Sequence, residues 1–246
     1  MAKTYAIADI HGMWDIYEQV NAMLNPEDLV YFLGDAGDRG YNGFKCIKAI
    51  YENSQWIYLK GNHEDLMVNG LRNIRDYDIT NNSEDFDLWM WNGGNNTYEE
   101  WLDDGEDFSW IEKLNNLPVK IEYTNFKDIT FHMTHAGYTC GHIEEMWSDQ
   151  LIWSRKHFYS IWDEKNYPND ICIHGHTPNE YLVRRYLDWR ERQNIVYKTG
   201  CPAAISYCNG HKICIDNGVF YTKATILYDL DEMTAIPLYD RTNFEW

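Results

Sequence analysis

The first limits on this chain come from what it lacks. None of its apolar runs approaches the roughly 18 residues needed to cross a bilayer, which excludes a membrane-spanning helix. Its six cysteines, Cys46, Cys140, Cys172, Cys201, Cys208 and Cys214, form no C-x-x-C pair, so neither a cysteine zinc site nor a dithiol redox motif is expected. The opening stretch Met1-Ala-Lys-Thr-Tyr-Ala-Ile-Ala-Asp9 reaches Asp and His too soon for a secretion signal. The expected setting is therefore cytoplasmic, and a disulfide framework is not expected. Positive charge is also scarce, with 21 Lys+Arg against 39 Asp+Glu and a net charge of −18. Gripping nucleic acid by counterion release needs the opposite balance, so no stable nucleic-acid binding is expected. Ser-, Pro- or Gly-rich linkers, internal repeats and low-complexity tracts are missing, which favours one domain over residues 1–246. At 44% hydrophobic and 24% charged residues, the composition is that of a globular chain.

Strand-like and helix-like patterns alternate in the first 65 residues. Thr4–Ala8, Leu29–Leu33 and Trp56–Leu59 read as short buried strands. The helical patterns Met13–Leu24 and Gly43–Glu52 separate them, the second with Phe44, Ile47 and Ile50 at the helical period. This rhythm predicts an α/β layer fold with its functional groups on loops after the strands. Asp76–Leu117 is different: an acidic, Trp-rich insertion of short helices carrying Trp89, Trp91, Trp101 and Trp110, broken at Gly93-Gly94. Beyond Pro118, strands are expected at Val119–Tyr123, Ile129–Thr134, Ile171–Ile173, Lys212–Ile215, Thr225–Tyr228 and Ile236–Leu238, giving an α/β or α+β unit.

A polar cluster follows several of these strands. The clusters are Asp9-x-His11, Gly34-Asp35-x-x-Asp38-Arg39-Gly40, Gly61-Asn62-His63-Glu64, Thr134-His135-Ala136-Gly137 and Gly175-His176-Thr177. Asp, His and Asn offer the oxygen and nitrogen donors that borderline divalent ions such as Mn²⁺, Fe²⁺ and Zn²⁺ prefer. Strand alternation would point Asp9 and His11 the same way, toward one ion. A carboxylate at the end of the next strand, Asp35, could bridge two ions through its two oxygens, and a pair of ions so held suits hydrolysis of a phosphate ester. Gly12, Gly34, Gly40 and Gly61 would permit tight turns and close backbone approach around the site.

Together these clusters resemble the calcineurin-like metallophosphoesterases, and among them the phosphoprotein phosphatase branch. The Asp-x-His-Gly, Gly-Asp-x-x-Asp-Arg-Gly and Gly-Asn-His-Glu trio is that branch's signature, and the match extends to His135 and His176. Leu151-Ile-Trp-Ser-Arg155 is similar to a segment of its bacterial and bacteriophage members. Trp91-Asn-Gly-Gly94 followed by Thr97 is similar to relatives that include symmetrical diadenosine tetraphosphatases. The resemblance implies a β-sandwich flanked by helices and two divalent metal ions, with Mn²⁺ favoured over Fe or Zn. Asp9 and His11 would hold the first metal, Asp35 would bridge, and Asn62, His135 and His176 would complete the second. Arg39 and Arg155, with Asn62 beside them, would bind the phosphate. His63, oriented by Asp38, would protonate the leaving oxygen. Attack would come directly from a dimetal-bound hydroxide, with no nucleophilic Ser or Cys. The chain departs from the family at Ala8, where Gly is frequent, and at Asp216-Asn217-Gly218, where Asp-Thr-Gly is common.

The expected activity is a cytoplasmic, bacterial- or phage-type phosphatase acting on phosphoserine or phosphothreonine proteins or on small phosphate esters. One alternative is a symmetrical bis(5'-nucleosyl)-tetraphosphate hydrolase, and another is a non-catalytic binding module. The 11 Trp, 19 Tyr and 9 Phe are expected mainly in core and lid packing, with Trp89, Trp91 and Trp101 the ones to test for contact with substrate. His132, His142, His157, His174 and His211 fall outside the ligand pattern.

Overall fold

The computed structural model describes residues 2–77, 84–139, 146–160, 162–187 and 201–241. Cys140 and His142 lie outside the described residues, as does part of the Trp-rich insertion. Two five-stranded sheets form the frame. In the first, β1 (Thr4–Ile7), β2 (Leu29–Phe32) and β3 (Trp56–Tyr58) run parallel, and β9 (Ala224–Asp229) and β10 (Thr234–Tyr239) add antiparallel on the free side of β1. In the second, β5 (Thr130–Thr134), β6 (Asp170–His174) and β8 (Lys212–Cys214) are parallel. They are flanked by antiparallel β4 (Lys120–Thr124) and β7 (Ile205–Tyr207).

Side-chain alternation explains how both faces of these sheets are covered. Ala6, Ala8, Tyr31 and Leu33 of the first sheet meet Phe131, Met133, Ile171, Ile173 and Ile213 of the second, in the core between them. The intervening residues Tyr5, Ile7, Val30, Phe32, Trp56 and Tyr58 point the other way, into a core shared with helices. Those helices are α1 (Trp14–Met23), α2 (Gly43–Glu52), α3 (Asn62–Tyr77), α4 (Glu84–Trp89), α5 (Asn95–Asp103) and α6 (Ser109–Asn115). Strands covered on both faces read as near-continuous apolar runs, as β1 and β2 do. The outer face of the second sheet is covered by α7 (Ser148–Trp153), α8 (Asn179–Arg185) and neighbouring loops, through Leu151, Trp162, Phe158 and Leu182.

Two elements depart from the sequence reading, and the break expected at Gly93-Gly94 is found. Gly61-Asn62-His63-Glu64 is not purely a loop, because α3 begins at Asn62. The edge strand β7 is three residues long, too short for alternation to announce it. Within the Trp-rich segment, a π turn over Met90–Gly94 joins α4 to α5, with Gly93 at φ 100°.

Candidate metal centre and phosphate site

The parallel strands deliver their polar clusters to one end of the sandwich. Strand pleating does not turn Asp9 and His11 toward one point, as the sequence reading supposed; they fall in different groups of ligand atoms on either side of Asp35. β1 ends at Ile7, and Asp9 and His11 both sit beyond it in left-handed turns, at φ 50° and 44°. Backbone bonds fix that turn against the neighbouring loop: Asp9 N–H to Gly34 O (3.1 Å), His11 N–H to Asp35 O (3.1 Å) and Gly12 N–H to Ala36 O (2.7 Å). Asp35, Asp38, Arg39 and His176 also have positive φ, so six of the twelve such non-glycine residues among the described residues belong to the site. Each such residue costs on the order of 1 kcal/mol or more and persists only where its surroundings hold it. The glycines leave room for the side chains. A Cβ on Gly175 would collide with the Asp9 carboxylate, and one on Gly61 with that of Asp35.

Asp35 stands at the centre. It shares one close group of ligand atoms with His11 and His63, and a second with Asp9 and His135. Membership of both is the geometric requirement for a bridging carboxylate. Its Oδ1 accepts the backbone N–H of His63 (3.0 Å), in the first turn of α3. Burial pushes the Asp35 carboxyl up, but His135 and His63 more than offset it and hold the group well below the usual carboxylate range. Burial and the nearby Asp216 carboxylate raise Asp9 well above that range, although Asp9 also accepts the His176 N–H (3.0 and 3.1 Å).

Beside the second group stands Asn62, whose Oδ1 lies 2.9 Å from His135 Nε2 and 2.8 Å from His176 Nδ1. His135 donates Nδ1–H to Leu33 O (2.7 Å), so in its neutral form Nε2 presents a lone pair to Asn62 Oδ1 and, at 3.3 Å, to Asp35 Oδ1. Lone pairs so arranged need a proton or a cation between them. Burial favours the neutral His135 ring, yet Asp35 beside it pushes the ring's pKa up to about 10. His176 Nε2 is buried with no hydrogen-bond partner. Burial, with His135 nearby, holds His176 well below its ordinary pKa, in the neutral form that ligates metals. The donor set therefore fits divalent cations.

Arg39 is the site's main positive group. Its Nη1 donates to His11 Nε2 (2.7 Å) and its Nη2 to His63 Nε2 (2.8 Å), so both rings turn a lone pair toward the guanidinium. His11 is fixed in that tautomer by donating Nδ1–H to Gly37 O (3.0 Å), and burial, with Arg39 beside it, holds its pKa well below the ordinary value. His63 donates Nδ1–H to Asp38 Oδ2 (2.7 Å). Arg155, half-buried, donates Nε–H to Thr177 Oγ1 (3.0 Å), beside His176.

The structure thus brings together Asp9, His11, Asp35, Asp38, Arg39, Asn62, His63, His135 and His176, with Arg155 next to them. The sequence reading left other contributors without a role. Glu64 is 1% exposed and accepts the N–H groups of Asp35 (2.9 Å), Ala36 (2.8 Å) and Gly61 (2.8 Å) and the Tyr58 hydroxyl (2.7 Å), tying two site loops together. Asn217 accepts the Ala203 N–H (2.8 Å) and donates to Ile215 O (3.0 Å), a scaffolding role. Trp89 and Trp101 are core residues, 0% and 1% exposed, because the helices of the insertion pack on α2 and α3 rather than over the site. Trp91 is 93% exposed.

Among solved structures, a cold-active protein-tyrosine phosphatase from a psychrophilic Shewanella is 17% identical, with 98% of this chain and 79% of that one covered at a TM-score of 0.59. A candidate diadenosine tetraphosphatase is 13% identical, covering 97% and 93% at 0.58. A protein serine/threonine phosphatase from Saccharomyces cerevisiae with similarity to human phosphatase PP5 is 13% identical, covering 99% and 81% at 0.53. At these identities the likeness is one of fold. No curated protein sequence matches the chain. The calcineurin-like phosphoesterase family model matches residues 2–233, and the chain belongs to that family.

Proposed function

We propose that this protein is a metal-dependent phosphomonoesterase acting on phosphoserine or phosphothreonine proteins or on small phosphate esters. The observation that carries this reading is Asp35, shared between two groups of ligand atoms, with the Arg39–His63–Asp38 chain beside it. Asp9, His11 and Asp35 would hold one divalent ion, and Asp35, Asn62, His135 and His176 a second, with Mn²⁺ the ion we favour. Ions bound there supply Lewis acidity toward the phosphoryl group and lower the pKa of the attacking water. The lone pair of His11 Nε2 serves one partner at a time. With His11 Nε2 committed to an ion, Arg39 would be free of His11, and its guanidinium and that of Arg155 would each offer a planar fork to the phosphate oxygens. With Arg39 turned to the phosphate, His63, held by Asp38, would take up a solvent proton on Nε2 and give it to the leaving oxygen. We assign the role to one unit spanning residues 1–246, in the cytoplasm.

The test offers protein reconstituted with Mn²⁺, Ni²⁺ or Co²⁺ 4-nitrophenyl phosphate, its bis-ester, a phosphothreonine peptide and diadenosine tetraphosphate. Turnover of the monoesters is expected, and failure on every substrate with every metal sinks the enzyme reading in favour of a binding module. A second reading, hydrolysis of dinucleoside tetraphosphates, is favoured by one feature. A cavity of about 410 Å³ opens beside Arg39, lined by Trp91, Asn92, Asn96 and Tyr221 among others. Trp91 and Tyr221 are 93% and 75% exposed, ring faces on which a base could stack. Preference for the tetraphosphate by about two orders of magnitude, roughly 2.7 kcal/mol, would put that reading first.

A further inference from the structure

We infer that Trp89 is a positioning residue for the proton donor: its indole N–H fixes the Asp38 carboxylate that orients His63. The inference rests on the reading of His63 as the group that protonates the leaving oxygen. Trp89 is fully buried, and its Nε1–H lies 3.0 and 3.2 Å from the two oxygens of Asp38. Asp38 Oδ2 accepts from His63 Nδ1–H at 2.7 Å, and His63 Nε2 faces the phosphate site through Arg39. An indole is a donor only, so it can stabilise the carboxylate but cannot compete with it for the imidazole proton. Its contact fills lone pairs that would otherwise let the carboxylate rotate away from His63.

The surroundings are shaped around this contact. A Cβ on Gly94 would come within 2.5 Å of the indole nitrogen, and one on Gly70, in α3, within 2.6 Å of the ring carbon Cε3. The same segment holds the Asp38–Arg39 backbone in its left-handed conformation, because Asp38 N–H donates to Thr97 Oγ1 (2.8 Å) and Arg39 N–H to Gly93 O (2.8 Å). Other buried tryptophans place their N–H on neutral acceptors, Trp101 on Asp107 O at 3.2 Å and Trp56 on Asn21 Oδ1 at 3.1 Å. Trp89 uses the carboxylate that accepts His63 Nδ1–H. The Trp-rich insertion, whose Trp89 and Trp101 rings lie in the core, thereby acts on the chemistry through Asp38.

Two changes test this. Trp89→Phe removes the N–H, and replacement of Trp89 by its sulfur isostere benzothienylalanine removes it while preserving ring size, so a packing defect in the first is separated by the second. With Mn²⁺-reconstituted protein, kcat is compared for 4-nitrophenyl phosphate, whose leaving group departs as an anion, and benzyl phosphate, whose leaving group needs a proton. The ratio of the two is expected to rise about tenfold in both variants at unchanged metal content and KM, a fraction of what general acid catalysis supplies. An unchanged ratio overturns the inference. In metal-free protein, the His63 Nδ1–H proton resonance, identified by its loss in His63→Asn, is expected to move downfield as Asp38 becomes the more basic acceptor. An unmoved resonance also overturns it. If His63→Asn itself shows no leaving-group selectivity, the proton-donor reading has failed, and the resonance still decides whether Trp89 governs the Asp38–His63 bond.

Discussion

At the scale of single residues, the site is a set of side chains whose polar atoms are each committed twice: once to hold the group and once to act. His11, His63 and His135 each donate Nδ1–H to a structural acceptor (Gly37 O, Asp38 Oδ2 and Leu33 O), which leaves Nε2 free to face the centre. Asp35→Asn removes a charge shared by both groups of ligand atoms. Metal content measured by inductively coupled plasma spectrometry is expected to fall below one ion per chain, and activity by about 10³-fold or more. His63→Asn lies off the proposed ligand set, so it should keep its metals. It should slow an alkyl ester by about 10²-fold or more and a nitrophenyl ester far less. Glu64→Gln is a subtler case. Three backbone N–H groups and a tyrosine hydroxyl converge on this carboxylate, and an amide must turn its own NH₂ against one of them. A loss of about 2–3 kcal/mol in urea denaturation is expected, with weakened metal binding, since the same bonds place the Asp35 loop.

At the scale of elements, the informative contrast lies between strands and turns. The parallel strands were legible because Ile7, Val30, Phe32 and Leu59 stand in short apolar runs closed by Asp, Gly or Asn. The turns beyond them were legible only as motifs. Nothing in Asp9-Ile-His11 announces two left-handed residues, since that conformation is imposed by Gly34, Asp35 and Ala36 on the next loop. Over residues 84–117 the Trp-rich segment carries the short helices α4, α5 and α6 and the π turn. Its purpose was not legible, because the contacts that matter join Trp89, Gly93 and Thr97 to Asp38 and Arg39, more than fifty residues earlier. Gly93 tests this element. At φ 100°, with a Cβ that would meet the Arg39 backbone nitrogen at 3.0 Å, Gly93→Ala is expected to displace Arg39. The measurement is KM for 4-nitrophenyl phosphate, expected to rise about tenfold at unchanged metal content; an unchanged KM would mean that Arg39 does not depend on the π turn.

At the scale of the whole molecule, the sandwich separates two buried polar zones. One is the candidate metal centre. The other lies behind the second sheet, where His174 Nε2 meets the Tyr207 hydroxyl (2.8 Å), as does His157 Nε2 (3.2 Å), and Lys212 Nζ donates to His157 O. Burial pushes His174 down to about 4, and burial with His174 and Lys212 nearby holds His157 well below its ordinary value. An unfolded chain takes up both protons near pH 6.5, while folded His174 refuses its own to about pH 4 and His157 is held neutral well below its ordinary value. Folding stability therefore rises with pH across that window and is lost as pH falls through it. His174 alone should contribute a loss of about 2–3 kcal/mol between pH 7 and 4.5. Urea denaturation of His174→Asn at both pH values should show that much less acid sensitivity than the parent. Among the described residues no helix is long and apolar enough to cross a membrane.

The sequence by itself determined the donor types, their order along the chain and their attachment to strand ends. Asp, His, Asn and Arg carry their chemistry wherever they are placed, and alternation of apolar residues marks a strand without reference to its neighbours. It also determined the family, through motifs that need no coordinates. Only the tertiary structure decided which atoms meet. The sharing of Asp35 between two donor groups, the clamp of Glu64 and the link from Trp89 through Asp38 to His63 all depend on distances between segments far apart in the chain. The physical reason is that a hydrogen bond or a metal site is fixed to a fraction of an ångström, whereas sequence pattern fixes only which face of an element a residue occupies.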